Sequence, residues 1–187
     1  KQTSAIKEIA ALCELDTAKR DEISKITDES IPKSLEYILT NITKMDSLIN
    51  GLLQISRAGR LKMTINEVSM KQIIDTIIAS LNFQLTEIGA KVLVDELPNC
   101  FGDYHLLNQL FSNILTNAIK YRDESRNLEI TITAKTKYNK VIYAISDNGI
   151  GIEPRHLTKI WDVFFRVDNQ LVGEGLGLSL VKRIVDK

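Results

Sequence analysis

Seven apolar residues, Ile31, Leu35, Ile38, Ile42, Met45, Ile49 and Leu52, recur at spacings of 4, 3, 4, 3, 4 and 3. This unbroken heptad stripe constrains the chain more than any other feature. A period of 3.5 places every one of these side chains on one helical seam, and such a seam is stable only against another helix. Residues 1–60 otherwise show no strand-like alternation and contain one proline, Pro32. Thr27, Asp28, Glu29 and Ser30 read as turn and cap residues, with Pro32 in the first turn of the helix that follows. The stretch 2–26 reads as a second helix, through Ile6, Ile9, Leu12, Ile23 and Ile26. An antiparallel helical hairpin is therefore expected. Two helices alone bury a long seam poorly, so a second copy is expected to complete a four-helix bundle.

Beyond Gly59 the pattern changes. Strands are expected at 64–67, 91–96, 128–137 and 140–146, the last two joined by a hairpin turn at Tyr138-Asn139. Helices are expected at 70–88 and 104–121, near 156–163, and at 176–186. Helices mixed with a largely antiparallel sheet give an α+β fold with the helices on one face. The expected division is 1–60 for the hairpin and 61–187 for the α/β domain. Lys+Arg and Asp+Glu each total 24, so bulk charge draws the chain to neither nucleic acid nor an anionic surface. Cys13 and Cys100 share no metal-binding or redox spacing and read as free thiols of a reducing compartment. No apolar run reaches membrane-spanning length, so any membrane attachment is expected only through segments beyond this chain.

Three segments carry candidate chemistry. In Asn113-Ile-Leu-Thr-Asn117-Ala-Ile-Lys120-Tyr121, spacings of four and three put Asn113, Asn117 and Lys120 on one helix face. Amide oxygens suit Mg²⁺ and the ammonium suits phosphate, although such a face taken alone is most often just solvated. In Asp147-Asn-Gly149-Ile-Gly151-Ile152, two glycines let the backbone turn sharply and approach a flat ligand, and Asp147 can accept from an exocyclic amine. In Gly173-Glu-Gly175-Leu176-Gly177-Leu178, alternate glycines at a helix start leave backbone N–H groups free for phosphates. No Gly-Lys-Ser/Thr follows, so this is not a Walker A loop, and no strand leads into it, so it is not a dinucleotide fingerprint.

In this order the three segments resemble the GHKL ATPase superfamily, and specifically the two-component sensor histidine kinases. Asn113–Tyr121 looks like their N box, Asp147–Ile152 like the G1 box, Trp161-Asp-Val-Phe-Phe165-Arg166 like the F box and Gly173–Leu178 like the G2 box. Asn117-Ala-Ile-Lys-Tyr-Arg122 is similar to the phytochrome-type branch, and residues 48–57 look like the end of the second dimerisation helix. The resemblance covers nearly the whole chain. It implies a nucleotide fold of GHKL (Bergerat) type that takes ATP and Mg²⁺. Asn117 would ligate the metal with Asn113 nearby, and Lys120 and Arg166 would meet phosphates. Asp147 would read the adenine amine beside Gly149, Gly151 and Ile152. Tyr121 and Phe165 would lie near the nucleotide, and Gly173, Gly175, Leu176, Gly177 and Leu178 would shape a lid. It further implies a cytoplasmic homodimer that passes phosphate from a histidine to the receiver domain of a response regulator.

The acceptor histidine of that reaction is not in the expected hairpin. The chain has two histidines, His105 and His156, and both read as surface helix residues outside it. The family's usual spacing, counted back from residues 48–57, places the acceptor near or just before Lys1. The expectation is that these 187 residues bind ATP without labelling themselves. The alternative is a dimeric module that binds nucleotide without phosphorylating. A gyrase-like or MutL-like ATPase fits less well, because those carry a further domain after the nucleotide fold, whereas here a helical segment precedes it.

Overall fold

A computed structural model of the chain describes residues 17–60, 63–167 and 174–187. It divides into two compact units between Asn50 and Gly51.

The first unit is helical. Helix α1 (Thr17–Lys25) runs through a π-helical turn (Ile26–Ser30) into α2 (Ile31–Arg60), so no break in the helix occurs at 26–30. This corrects the expected turn at 27–30. Lys25 and Ile31, on either side of it, both have right-handed helical backbone, and the Ile31 N–H bonds to the carbonyl of Ile26, five residues back. The physical cause is Pro32. Its ring needs space at the carbonyl four residues earlier and has no N–H to offer it, and a widened turn supplies that space without ending the helix. Thr27, expected as a cap, is buried, and its hydroxyl donates back to the Ile23 carbonyl at 2.9 Å. All seven stripe residues from Ile31 to Leu52 are exposed, by 36–61%. Most of the expected first hairpin helix, together with Cys13, lies outside the described residues.

The second unit is an α/β layer structure. Helix α3 (Met70–Glu87) starts where Ser69 Oγ accepts from the Gln72 N–H, and stops at Gly89, whose φ of +61° closes the last turn. Asp103 caps α4 (Tyr104–Lys120) by accepting from the N–H groups of His105 and Leu106, and it also takes the Thr64 N–H at 3.0 Å. Strands β2 (Lys91–Val94), β4 (Glu129–Lys137) and β5 (Lys140–Asp147) form one sheet in the order β2-β4-β5. β4 and β5 make the expected hairpin around Tyr138-Asn139, with Tyr138 at φ +53° as such a two-residue turn requires. β2 runs parallel to β4, with Val92 opposite Ile130, so the sheet is mixed rather than largely antiparallel. The reason is connectivity: α4 lies between β2 and β4 in sequence and carries the chain back to the same end of the sheet. A separate antiparallel pair joins β1 (Asn66–Val68) to β3 (Cys100–Gly102), and β3 was not expected.

The core is the space between these helices and the sheet. Met70, Ile73, Ile74 and Ile77 of α3, Phe111, Leu115, Ala118 and Ile119 of α4, and Ile130 and Ile132 of β4 are all buried there. Tyr143 of β5 reaches past Phe111 and donates to the Pro98 carbonyl at 2.6 Å. Helix α5 (Gly177–Val185) packs on α4 through Leu180, Val181 and Ile184. The expected helix near 156–163 is instead two short 3₁₀ turns, Pro154–His156 and Lys159–Trp161. Pro154 starts the first, and at the end of the second Asp162 is already in extended backbone, so neither continues. No helix among the described residues is long and apolar enough to cross a membrane.

Candidate nucleotide site

The site is built outward from α4. Its buried face fixes the helix on the sheet, which turns Asn113, Asn117 and Lys120 to the opposite, half-buried side. Asn113 Nδ2 donates to the Gln109 carbonyl at 2.8 Å, which leaves Oδ1 pointing away from the helix. That oxygen faces the start of α5. A Cβ placed on Gly177 would lie 3.0 Å from Asn113 Oδ1 and 3.9 Å from the side-chain nitrogen of Asn117. A side chain at this position would make Asn113 Oδ1 yield by a few tenths of an ångström, which glycine avoids. Leu176, at the cap position, makes no side-chain cap bond. The positive end of α5 and two amides therefore share one small volume, a setting suited to phosphate oxygens and their counter-ion. Asn113 and Asn117 fit Mg²⁺ in donor chemistry, as neutral oxygen ligands beside a ligand that supplies its own charge.

The C-terminal end of α4 anchors the glycine turn after β5. Ile150 N–H donates to the Tyr121 carbonyl at 3.0 Å, and a Cβ on Gly149 would meet the same oxygen at 2.5 Å. Asp147 Oδ1 accepts from the Gly149 N–H at 2.9 Å, which orients the carboxylate and leaves its other oxygen available. Gly151 has φ +72° in open space, and Ile152 is exposed beside it. Lys120 Nζ donates to Tyr121 Oη at 3.0 Å and lies over the same ring.

The F-box residues meet the other glycine segment. Phe164 N–H donates to the Gly175 carbonyl at 3.0 Å. Both residues have positive φ, +66° and +72°, and a Cβ on Gly175 would strike the backbone of Phe164 and Phe165 at 2.7 Å. For a bulky residue such as Phe164 this conformation is uncommon and is held by its surroundings. Phe165 packs on His156, with ring centroids 5.7 Å apart. His156 is thus half-buried in a 3₁₀ turn rather than a surface helix residue, and its Nδ1 is buried with no hydrogen-bond partner among the described residues. His105 is exposed on α4, as expected of it. Leu176 is buried, Leu178 and Arg166 are half-buried, and Gly173 lies outside the described residues.

The structure therefore brings Asn113 and Asn117 to Gly177, Tyr121 to Gly149 and Ile150, and Phe164 and Phe165 to Gly175. Two concavities, of about 310 and 370 Å³, lie elsewhere, one between Trp161 and α5 and one beside Arg122. The sequence reading missed Asn148. Its side chain accepts from the Glu129 N–H at 2.8 Å and donates to the Asn127 carbonyl at 3.0 Å, tying the glycine turn to the start of β4. An Asn ahead of Gly reads as an ordinary turn residue, so its long-range partners left no trace in the sequence.

Residues 102–187 match the family of histidine kinase-, DNA gyrase B- and HSP90-like ATPases. Two curated relatives span most of the chain. The methanogenesis regulatory histidine kinase FilI of Methanothrix harundinacea is 29% identical over 89% of this chain and 19% of its own length. The phytochrome-like protein Cph1 of Synechocystis is 26% identical over 87% of this chain and 22% of its own. The chain is similar to histidine kinases, with the ATPase match lying over residues 102–187. It spans about a fifth of the length of these two relatives. Among solved structures, the catalytic domain of histidine kinase ThkA is 25% identical, with a TM-score of 0.59 over 66% of this chain and 81% of that one. Histidine kinase ThkA in complex with the response regulator protein TrrA shares the fold, with 20% identity and a TM-score of 0.63 over 83% of this chain and 44% of that one.

Proposed function

We propose that this chain is the ATP-binding kinase core of a longer two-component sensor. The observation that carries the reading is the seating of Gly177 against Asn113 and Asn117, which joins the amide face of α4 to the helix start that follows the last glycine segment. In this reading Asn117, with Asn113, holds Mg²⁺, and Lys120 and Arg166 face phosphates. Asp147 accepts from the adenine amine, with Gly149, Gly151 and Ile152 along the purine. Tyr121 and Phe165 border the nucleotide, while Gly173 to Leu178 border its phosphates. The metal would neutralise charge on the transferred phosphoryl group, and the protein's own part is positioning.

In the parent protein the bond between the γ-phosphorus and the bridging oxygen of ADP breaks as a bond to an imidazole nitrogen forms. A receiver-domain aspartate of a response regulator then takes the phosphoryl group, in a cytoplasmic setting. Residues 1–60 would form the dimerisation segment and 61–187 the catalytic domain. No histidine occurs in residues 1–60, which also supports a second reading as a nucleotide-binding module that does not phosphorylate.

Calorimetry with a non-hydrolysable ATP analogue and Mg²⁺ tests the main reading. Saturable binding is expected, weakened by Asn117→Ala and by Asp147→Ala. No binding at millimolar nucleotide by a folded chain would refute it. The 187 residues are expected not to acquire acid-labile label from ATP. A longer chain with a histidine ahead of Lys1 is expected to acquire it and to lose it in Asn117→Ala. Nucleotide binding without such label in the longer chain would favour the second reading.

A further inference from the structure

The peptide unit between Gly149 and Ile150 is gripped at both ends. Its carbonyl accepts from Arg126 Nη2 at 3.1 Å. Its N–H donates to the Tyr121 carbonyl at 3.0 Å. A peptide plane next to glycine ordinarily rotates at little cost, because no Cβ opposes the change in ψ. Here half a turn of that plane would break both bonds at once. The consequence would travel forward, because the next residue, Gly151, sits at φ +72° with nothing around it to resist. Rotation at Gly149 would therefore redirect the chain into Ile152. Gly149 cannot be stiffened by a side chain of its own, since a Cβ there would fall 2.5 Å from the Tyr121 oxygen. The restraint has to come from another segment.

Arg126 is itself aimed. Its Nη2 lies 3.0 Å from Asp123 Oδ2. Asp123 Oδ1 accepts from the Ser125 hydroxyl at 2.6 Å and from the Ser125 N–H at 3.0 Å, which fixes the carboxylate in the loop. Asp123 and Arg126 belong to the connection between α4 and β4, outside every segment that the sequence marked for chemistry. The Arg126 side chain is 52% exposed, so its ion pair contributes little to the stability of the fold.

We propose that Arg126 is a positioning residue of the nucleotide site: held by Asp123, it sets the Gly149–Ile150 peptide plane and so the course of the chain along the purine. This rests on the reading of that turn as adenine-binding. Arg126 touches no reacting atom and acts through the backbone.

Three variants of the full chain, Arg126→Ala, Arg126→Lys and Asp123→Asn, test it by calorimetry with ADP and with a non-hydrolysable ATP analogue, by thermal unfolding, and by amide hydrogen exchange at Ile150. Arg126→Ala is expected to bind both nucleotides about 5–10-fold more weakly, as loss of one hydrogen bond of ordinary net strength implies. The same factor is expected for both, because the perturbed contact is at the base end. Ile150 exchange should accelerate while that of buried Leu115 and the unfolding midpoint stay near wild type. Arg126→Lys should recover part of the affinity, and Asp123→Asn should fall between the two. Unchanged affinity in Arg126→Ala, or unchanged Ile150 exchange, would overturn the proposal. A loss that grows with the number of phosphates would also overturn it, since Arg126 would then act as a charge on the phosphates. If Arg126→Ala does not fold, the other two variants decide between the same outcomes. Failure of the wild-type chain to bind either nucleotide would refute the adenine reading instead, and Ile150 exchange would still report whether Arg126 holds the turn.

Discussion

Gly151 and Gly175 share a φ of +72° but not an environment. Around Gly151 there is open space, whereas a Cβ on Gly175 would collide with the Phe164 and Phe165 backbone. Gly151→Ala should therefore cost only the left-handed conformation, about 1–2 kcal/mol. Gly175→Ala should cost that and the displacement of Phe164 and Phe165, about 1–3 kcal/mol more. Urea unfolding of the two variants checks the ordering, and equal losses would mean that Phe164 and Phe165 yield freely. Gly177→Ala is a third case, since its Cβ would press on Asn113 Oδ1 at 3.0 Å. That variant should fold normally and bind Mg²⁺-ATP more weakly, and titration with and without Mg²⁺ should place the loss in the metal-dependent part. All three glycines were legible in the sequence as one kind of residue. What each does differs because a different neighbour from elsewhere in the chain stands against it.

Helix α4 carries the site, and Asp103 starts the helix. The Thr64 N–H, together with those of Leu106 and His105, holds the Asp103 carboxyl below the usual carboxylate range. A folded-state pKa below the unfolded one means that the carboxylate stabilises the fold above the unfolded pKa of about 3.9, and that this contribution is lost as pH falls through the folded value. Asp103→Ala should cost about 1–2 kcal/mol near pH 7, as loss of a helix cap does. The gap between variant and wild type should close as pH falls from about 5 toward 2. Denaturation curves across that range test the sign, and a gap that widened in acid would exclude it. The sequence reading did not single out Asp103, and the bond from Thr64 crosses 39 residues of chain, so no local pattern contains it.

For the whole molecule, the exposed stripe on α2 is the feature that bears on association. Each stripe residue buried against a partner would contribute on the order of 1 kcal/mol or more, so association is expected of an exposed seam of this length. Sedimentation is expected to give about twice the 21.1 kDa chain mass. A charge at Ile42 or Ile49 should shift the chain to monomer, because an unpaired charge in a bundle core is expensive. A wild-type chain that stays monomeric at high concentration would contradict the dimer.

The sequence alone determined what repeats or alternates along the chain. The heptad seam of α2, the apolar faces of α3 and α4, the β4–β5 hairpin and the glycine segments are local patterns, written by the period of the helix or strand that they form. Tertiary structure decided what depends on residues far apart in sequence. It set β2 parallel to β4, paired the three-residue strands β1 and β3, and split the expected helix near 156–163 into two short turns. It carried helix through 26–30, where turn-forming residues suggested a stop, because a proline two residues on can be accommodated by widening the helix. It hung the glycine turn from Tyr121, Arg126 and Asn148, whose partners lie about 20 to 30 residues away in sequence. Such contacts carry no period, so a linear pattern does not contain them.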